Sequence, residues 1–288
     1  MAGIPGTSCQ ATFIKSLRDK AFQSINMDSS QTTPPAPKVL LQIEGMIGRI
    51  TLNRPEKLNA LDPEMLIQLE EAANTLEANP EVRVVILNSA SERAFCVGAD
   101  IRAWTALTPL EMWSNWNRRG HQVFDRLAQL RQPVIALLRG FTFGGGLELA
   151  LTADIRIATE QATFALPEVK LATLPGWAGT FRLPQLIGPA RAKQMIFSGA
   201  PIDAQRAEQW GLVNEVVSDP EDKGRELTDL ICRNAPVSVQ IAKQLVNSDA
   251  ANALVLESLA GAVTAATSDA AEGRLSFEEK RAPEFKGH

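Results

Sequence analysis

Two glutamates of this 288-residue chain stand in surroundings that a free carboxylate avoids. Glu148 is flanked by Leu147, Leu149, Ala150 and Leu151, so a helix carrying it would be apolar on every side. Glu168 lies in Phe164-Ala165-Leu166-Pro167-Glu168-Val169-Lys170-Leu171, an apolar stretch that leads to Pro175-Gly176. Each has an ordinary reading when taken singly. A glutamate in the first turn of a helix is usually solvated and favoured by the dipole, and one in a loop is usually exposed. If buried, however, each needs a partner or a task. The rest of the composition leaves few other workers. Only two histidines occur, His121 and His288, and there is no tyrosine. A three-histidine metal site cannot be built, and a Ser-His-Asp triad would have to use one of these two. If the chain performs acid–base chemistry, carboxylates are therefore the expected workers.

Two glycine-containing segments could present backbone to a ligand. The first is Ala94-Phe95-Cys96-Val97-Gly98-Ala99-Asp100-Ile101; the second runs from Gly140 to Ala150 and contains Gly144-Gly145-Gly146. Neither has the Lys-Ser/Thr ending of a phosphate loop or the GxGxxG spacing of a dinucleotide site. The triple glycine falls between an apolar strand and a helix. Glycine there lets a ligand approach, and the unpaired N–H groups of a helix start could bind an anion or a developing oxyanion. Close strand–helix packing would call for the same glycines.

These groups need elements to hold them. Residues 39–43 and 47–52 are β-like runs joined at Glu44-Gly45-Met46 as a hairpin. Asn53-Arg54-Pro55 breaks the second run. Asp62 then reads as an N-cap and Pro63 as the first position of a helix bearing Leu66, Leu69, Ala72, Ala73 and Leu76. Residues 82–87 predict a buried strand. Thr108-Pro109-Leu110-Glu111 is a capping box opening a long helix towards Leu130, through Gly120. Residues 133–138 predict a strand, 147–153 a helix and 154–158 a strand. This alternation indicates α/β architecture. After Pro184 the pattern changes: 190–197, 203–210, 220–234, 237–247 and 250–266 predict helices, with one strand at 212–217. The expected organisation is an α/β core over 39–200 and a helical C-terminal region over 201–288.

Residues 1–38 stand apart. Ile14, Leu17, Ala21 and Ile25 are spaced as on a short amphipathic helix over 11–25, with Lys15, Arg18 and Lys20 among them. A polar, proline-rich linker follows over 28–37. Mitochondrial targeting has thin support from a single arginine, and Asp19 opposes it. The segment is read as a disordered or appended extension, which leaves Met1 and Met27 both open as the natural start. The net charge of -4 gives no basic surplus for nucleic acid. No apolar run approaches the roughly 20 residues of a membrane span. Cys9, Cys96 and Cys232 are too sparse and irregular for a disulfide scaffold or a metal knuckle, so a reducing, cytoplasmic setting is expected.

Taken in order, the motifs resemble those of the enoyl-CoA hydratase/isomerase (crotonase) family over about residues 39–288. They are Asn53-Arg54-Pro55-Glu56-Lys57-Leu58-Asn59-Ala60-Leu61, Ala94–Asp100, Gly144–Ala150 with Asp154, and Phe164–Glu168 ahead of Pro175-Gly176. Gly211-Leu212-Val213-Asn214 and a tail over Phe277–Phe285 complete the series. The resemblance implies a spiral of ββα units with C-terminal helices that build a homotrimer or a dimer of trimers. It implies an enzyme, a lyase, that adds water across the double bond of an enoyl-CoA thioester. The family also holds isomerases and racemase-like enzymes, and RNA-binding homologues that the acidic pI argues against. By position, the N–H groups of Ala99 and Gly145 would hold the thioester oxygen, each contributing on the order of 3 kcal/mol of barrier lowering. Glu148 would activate the water and Glu168 would give the α-carbon its proton. Two such carboxylates in one cleft repel each other, so at least one pKa should be raised and the pair should titrate together. Coenzyme A, as part of the substrate, would run along Lys57, Leu58, Gly98, Asp100, Ile101 and Arg102. Gly176 and Trp177 would lie at the acyl end, and Phe277 and Lys280 near the nucleotide end, often of a neighbouring subunit. No metal or redox cofactor is implied. The chain departs from the common Pro-Gly-Ala-Gly-Gly-Thr-Gln-Arg segment, having Trp177 and Phe181 in it. With Trp104, Trp113 and Trp116, these bulky rings are read either as pocket lining or as core and subunit contacts.

Overall fold

The computed structural model describes residues 36–248 and 253–288. The predicted helix over 11–25 and the linker up to 35 lie outside them. Strands β1 (Val39–Glu44) and β2 (Ile47–Leu52) form the expected antiparallel hairpin, turned at Gly45 with φ +57. Strand β2 then pairs in parallel with β3 (Val84–Ser89), and the sheet continues through β5 (Val134–Leu138), β7 (Ile155–Thr159) and β10 (Glu215–Val217). The central strands of this six-stranded sheet are buried on both faces, which is why their sequences read as unbroken apolar runs.

A second, four-stranded sheet is ordered β4 (Ala94–Cys96), β6 (Phe141–Phe143), β8 (Thr163–Ala165) and β9 (Ile202–Asp203). None of these strands exceeds three residues, too few for alternation to declare itself, so the sequence reading passed over them. In chain order, β3 and β4, β5 and β6, and β7 and β8 each send one strand to each sheet. This is the expected repetition of ββα units.

Helix α1 (Pro63–Ala78) starts where predicted. The Asp62 carboxylate accepts the Met65 N–H at 2.9 Å, and Leu66, Leu69, Ala72, Ala73 and Leu76 face the core. The Thr108–Glu111 capping box is present. The helix it opens is not uniform: Pro109–Glu111 passes into a π-helical segment, Met112–Asn117, before regular α2 (Arg118–Ala128). Helix α3 (Gly145–Ala150) is short and wholly buried. The chain then forms α4 (Gly179–Ile187), α5 (Pro189–Ser198), α6 (Ala204–Trp210), α7 (Pro220–Cys232), α8 (Pro236–Val246), α9 (Ala253–Ala265) and α10 (Ser268–Glu279). The first and last of these were not predicted. Residues 37–288 cluster as one compact unit. The boundary expected near 200 falls inside it, because β10 pairs in parallel with β7, Glu215 opposite Ile157. Among the described residues no helix is long and apolar enough to cross a membrane.

Candidate active site

The loop after β2 is built to present backbone. Asn59 is buried with φ +56, a conformation asparagine tolerates better than most residues. Its Oδ1 accepts the Arg54 N–H at 2.8 Å, and its Nδ2 donates to Ser89 Oγ at 2.7 Å and to the Phe95 carbonyl at 2.9 Å. Arg54 Nη1 donates to the Ala60 carbonyl and to Asp100 Oδ2, both at 2.8 Å. Burial pushes the Asp100 carboxyl up, but the Arg54 bond and the Arg102 N–H outweigh it and hold the group below its ordinary value. The main chain is stitched in the same place: Leu61 N–H donates to the Gly98 carbonyl at 2.8 Å and Asp100 N–H to the Leu61 carbonyl at 2.7 Å. Ala99 is thus gripped on both sides, while its own N–H meets no protein acceptor among the described residues.

The triple glycine supplies a second such donor. Gly145 is the first residue of α3, so its N–H has no intrahelical partner. A Cβ added at Gly98, where φ is +104, would lie 3.2 Å from the Gly145 nitrogen, and one at Gly145 would lie 3.4 Å from the Ala99 nitrogen. The two N–H groups are therefore close neighbours, and only glycine leaves them uncovered.

Both glutamates reach the same cleft. Glu148 is 2% exposed, and its Oε1 accepts the N–H groups of Trp177 and Gly179, each at 2.7 Å. Burial pushes its carboxyl up to about 7. The Gly179 bond works against that rise and the nearby Glu168 charge adds to it. Glu168 opens a 3-10 turn, Glu168–Leu171, and burial lifts its carboxyl to about 7 as well. Its Oε2 is buried with no hydrogen-bond partner among the described residues. A cavity of about 140 Å³ joins the parts: Gly98, Ala99, Gly145, Glu148, Glu168 and Trp177 all line it.

The chain carrying this cleft has known relatives. The enoyl-CoA hydratase/isomerase family model matches residues 42–288. The chain belongs to this family. A short-chain-enoyl-CoA hydratase of Clostridium acetobutylicum is 40% identical over 249 residues, covering 84% of this chain and 95% of the relative. An (E)-benzylidenesuccinyl-CoA hydratase of Thauera aromatica is 37% identical over 255 residues, 86% of this chain and 99% of its own. The crystal structure of an enoyl-CoA hydratase from Bacillus anthracis superimposes with a TM-score of 0.83 at 36% identity, covering 87% of this chain and all of that one. The crotonase fold expected of this family is the fold observed.

Not every residue expected from the family resemblance reaches the cavity. Ile101 and Gly176 line it with the six residues above. Asp100 does not; its carboxylate is occupied by Arg54 and by capping the Arg102 N–H. Lys57 and Arg102 are exposed beyond the cavity, and the Leu58 carbonyl accepts the Val97 N–H. Phe277 is 85% exposed, and Lys280 ends α10 with φ +55, so neither meets the cavity of its own chain. The aromatic rings divide: Trp104, Trp116 and Trp177 line the cavity, whereas Phe181 and Trp113 are exposed outside it. Met112, Asn117, Leu171 and Leu174 are lining residues that sequence reasoning missed. Met112 and Asn117 bound the π-helical segment, and nothing in a capping box announces that break in helical period.

Proposed function

We propose that this chain is an enoyl-CoA hydratase that uses Glu148 as base and Glu168 as acid. The reading rests on one observation: the two raised carboxyls have opposite surroundings beside a pair of free N–H donors. Two N–H bonds on Glu148 Oε1 favour its ionised form, while the partnerless Oε2 of Glu168 favours the protonated one. Glu148 takes a proton from water as the water oxygen bonds to the β-carbon. The double-bond electrons move towards the thioester oxygen, whose developing charge is held by the Ala99 and Gly145 N–H groups. Glu168 then delivers its proton to the α-carbon, and a proton passing from Glu148 back to Glu168 resets the pair. The net change is one water added, with no electron gained or lost, so the reaction itself calls for no redox cofactor.

Coenzyme A would lie over the exposed Lys57 and Arg102 on its way to the cleft, supplying the thioester as part of the substrate. Phe277 and Lys280 would serve the nucleotide end in a neighbouring subunit of a homotrimer or a dimer of trimers. A cytoplasmic location and a small-molecule rather than nucleic-acid substrate complete the proposal. The test is to mix the protein with crotonyl-CoA and follow loss of the conjugated chromophore, with mass spectrometry of the product. A product heavier by one water is expected. A product of unchanged mass with a moved double bond would assign an isomerase instead.

A further inference from the structure

The cavity has an open side and a closed end. Ile101, Leu171 and Leu174 are each half or more exposed, whereas Trp116 and Trp177 are almost wholly buried. Trp177 packs its ring against Trp116 and Phe124, with ring centroids 5.2 Å away in both cases, and its Nε1 donates to the Trp116 carbonyl at 3.4 Å. On another side it rests on two glycines. A Cβ at Gly120 would lie 1.9 Å from Trp177 Nε1, and one at Gly145 would lie 2.7 Å from its Cζ3. The indole thus has its room only because position 120 lacks a side chain, and it adjoins the Gly145 donor, while the main-chain N–H of the same residue donates to Glu148 Oε1.

Resting on the reading of this cleft as a thioester site, we infer that the Trp177 indole, seated on Gly120, is the stop that limits the acyl group to short, flat chains. A thioester held at Ala99 and Gly145 must point its acyl tail away from the coenzyme and towards the closed end. The whole cavity, its open side included, measures about 140 Å³, on the scale that accepts a benzene-sized group, so its closed end has room for a short acyl group only. The ring cannot yield, because it is packed against Trp116, Phe124 and two backbones, and close-packed interiors transmit added volume as strain. The main chain of residue 177 holds Glu148 while the side chain closes the pocket. Replacing the ring therefore alters length selection without removing the bond to the base.

The experiment compares kcat/KM for crotonyl-, octenoyl- and decenoyl-CoA in the wild type, Trp177→Leu, Gly120→Ala and the double variant. The wild type should favour crotonyl-CoA, and Trp177→Leu should raise the octenoyl-to-crotonyl ratio by about tenfold or more, the scale of discrimination a few methylenes carry. Gly120→Ala should displace the indole and disturb the profile, and the same alanine should be harmless once Trp177 is leucine. A wild type indifferent to chain length, or an unchanged ratio in Trp177→Leu, overturns the inference and leaves the hydratase reading intact. Should no thioester be hydrated at all, that reading falls. Binding of saturated butyryl- and octanoyl-CoA then decides the length stop separately. A short-chain preference that relaxes in Trp177→Leu upholds the stop, and equal affinities in the wild type end it.

Discussion

At the residue scale, Glu148 and Glu168 show how one side-chain type can stand in two environments, which the proposed base and acid roles require. Both carboxyls are raised to about 7 chiefly by burial, yet one is bonded by two main-chain N–H groups and the other has a bare oxygen. Glu148→Gln and Glu168→Gln should each lower kcat by about 10²–10⁴-fold, as measured with crotonyl-CoA, with thioester affinity nearly unchanged. A loss below tenfold in either would remove that residue from the chemistry. Burial of Glu148 also has a stability signature. Its folded pKa of about 7 exceeds its ordinary 4.5, so the native state binds the proton more tightly than the unfolded chain. The resulting stabilisation is complete below pH 4.5 and is lost as pH rises through 7, on the order of 3 kcal/mol in all. Glu148→Gln cannot ionise, so its Tm relative to wild type should climb between pH 5 and pH 8. A difference independent of pH would mean that Glu148 is not the strained group.

At the element scale, the loop between β2 and α1 does more than connect. Asn59 ties Arg54 to β3 and β4, and Arg54 ties the loop to Asp100, which fixes the Ala99 N–H lying between them. Asn59→Ala removes these bonds and leaves a residue with a Cβ at φ +56, so a loss of about 1–3 kcal/mol in stability is expected from the stranded donors and acceptors alone. Because the Ala99 N–H, the proposed oxyanion donor, loses its brace, kcat should fall as well. Asp203→Ala gives the comparison: it removes the α6 cap, an acceptor for the Arg206 N–H, at a cost of about 1 kcal/mol, but touches no part of the cleft. Equal kcat in the two variants by steady-state assay would show that the Asn59 brace serves folding only.

At the scale of the whole molecule, the C-terminal helices carry an apolar face that is exposed among the described residues. Val246 at the end of α8, and Leu254, Leu259 and Val263 on α9, are all exposed, an apolar strip of the kind that marks an interface between subunits. Light scattering at micromolar concentration should give three or six times the chain mass, and a monomer would argue against the proposed assembly. How far the sequence alone reached follows from where its signals are local. The hairpin at Gly45, the Asp62 cap, the Thr108 capping box and the apolar central strands are each set by neighbours a few residues away, and all were legible. The glutamates and the glycine segments stood out by composition, and the order of motifs tied them to a family. Tertiary structure decided what depends on residues far apart in the chain. Three-residue strands β4, β6 and β8 exist because they pair with one another, not because of their own pattern. The indole of Trp177 became a pocket wall because Gly120, some fifty-seven residues earlier, leaves it space, whereas Phe181, only four residues on, turns to the surface. Asp100 was drawn off to Arg54 for the same reason: its partner arrives through the fold, and no spacing rule in the sequence records that meeting.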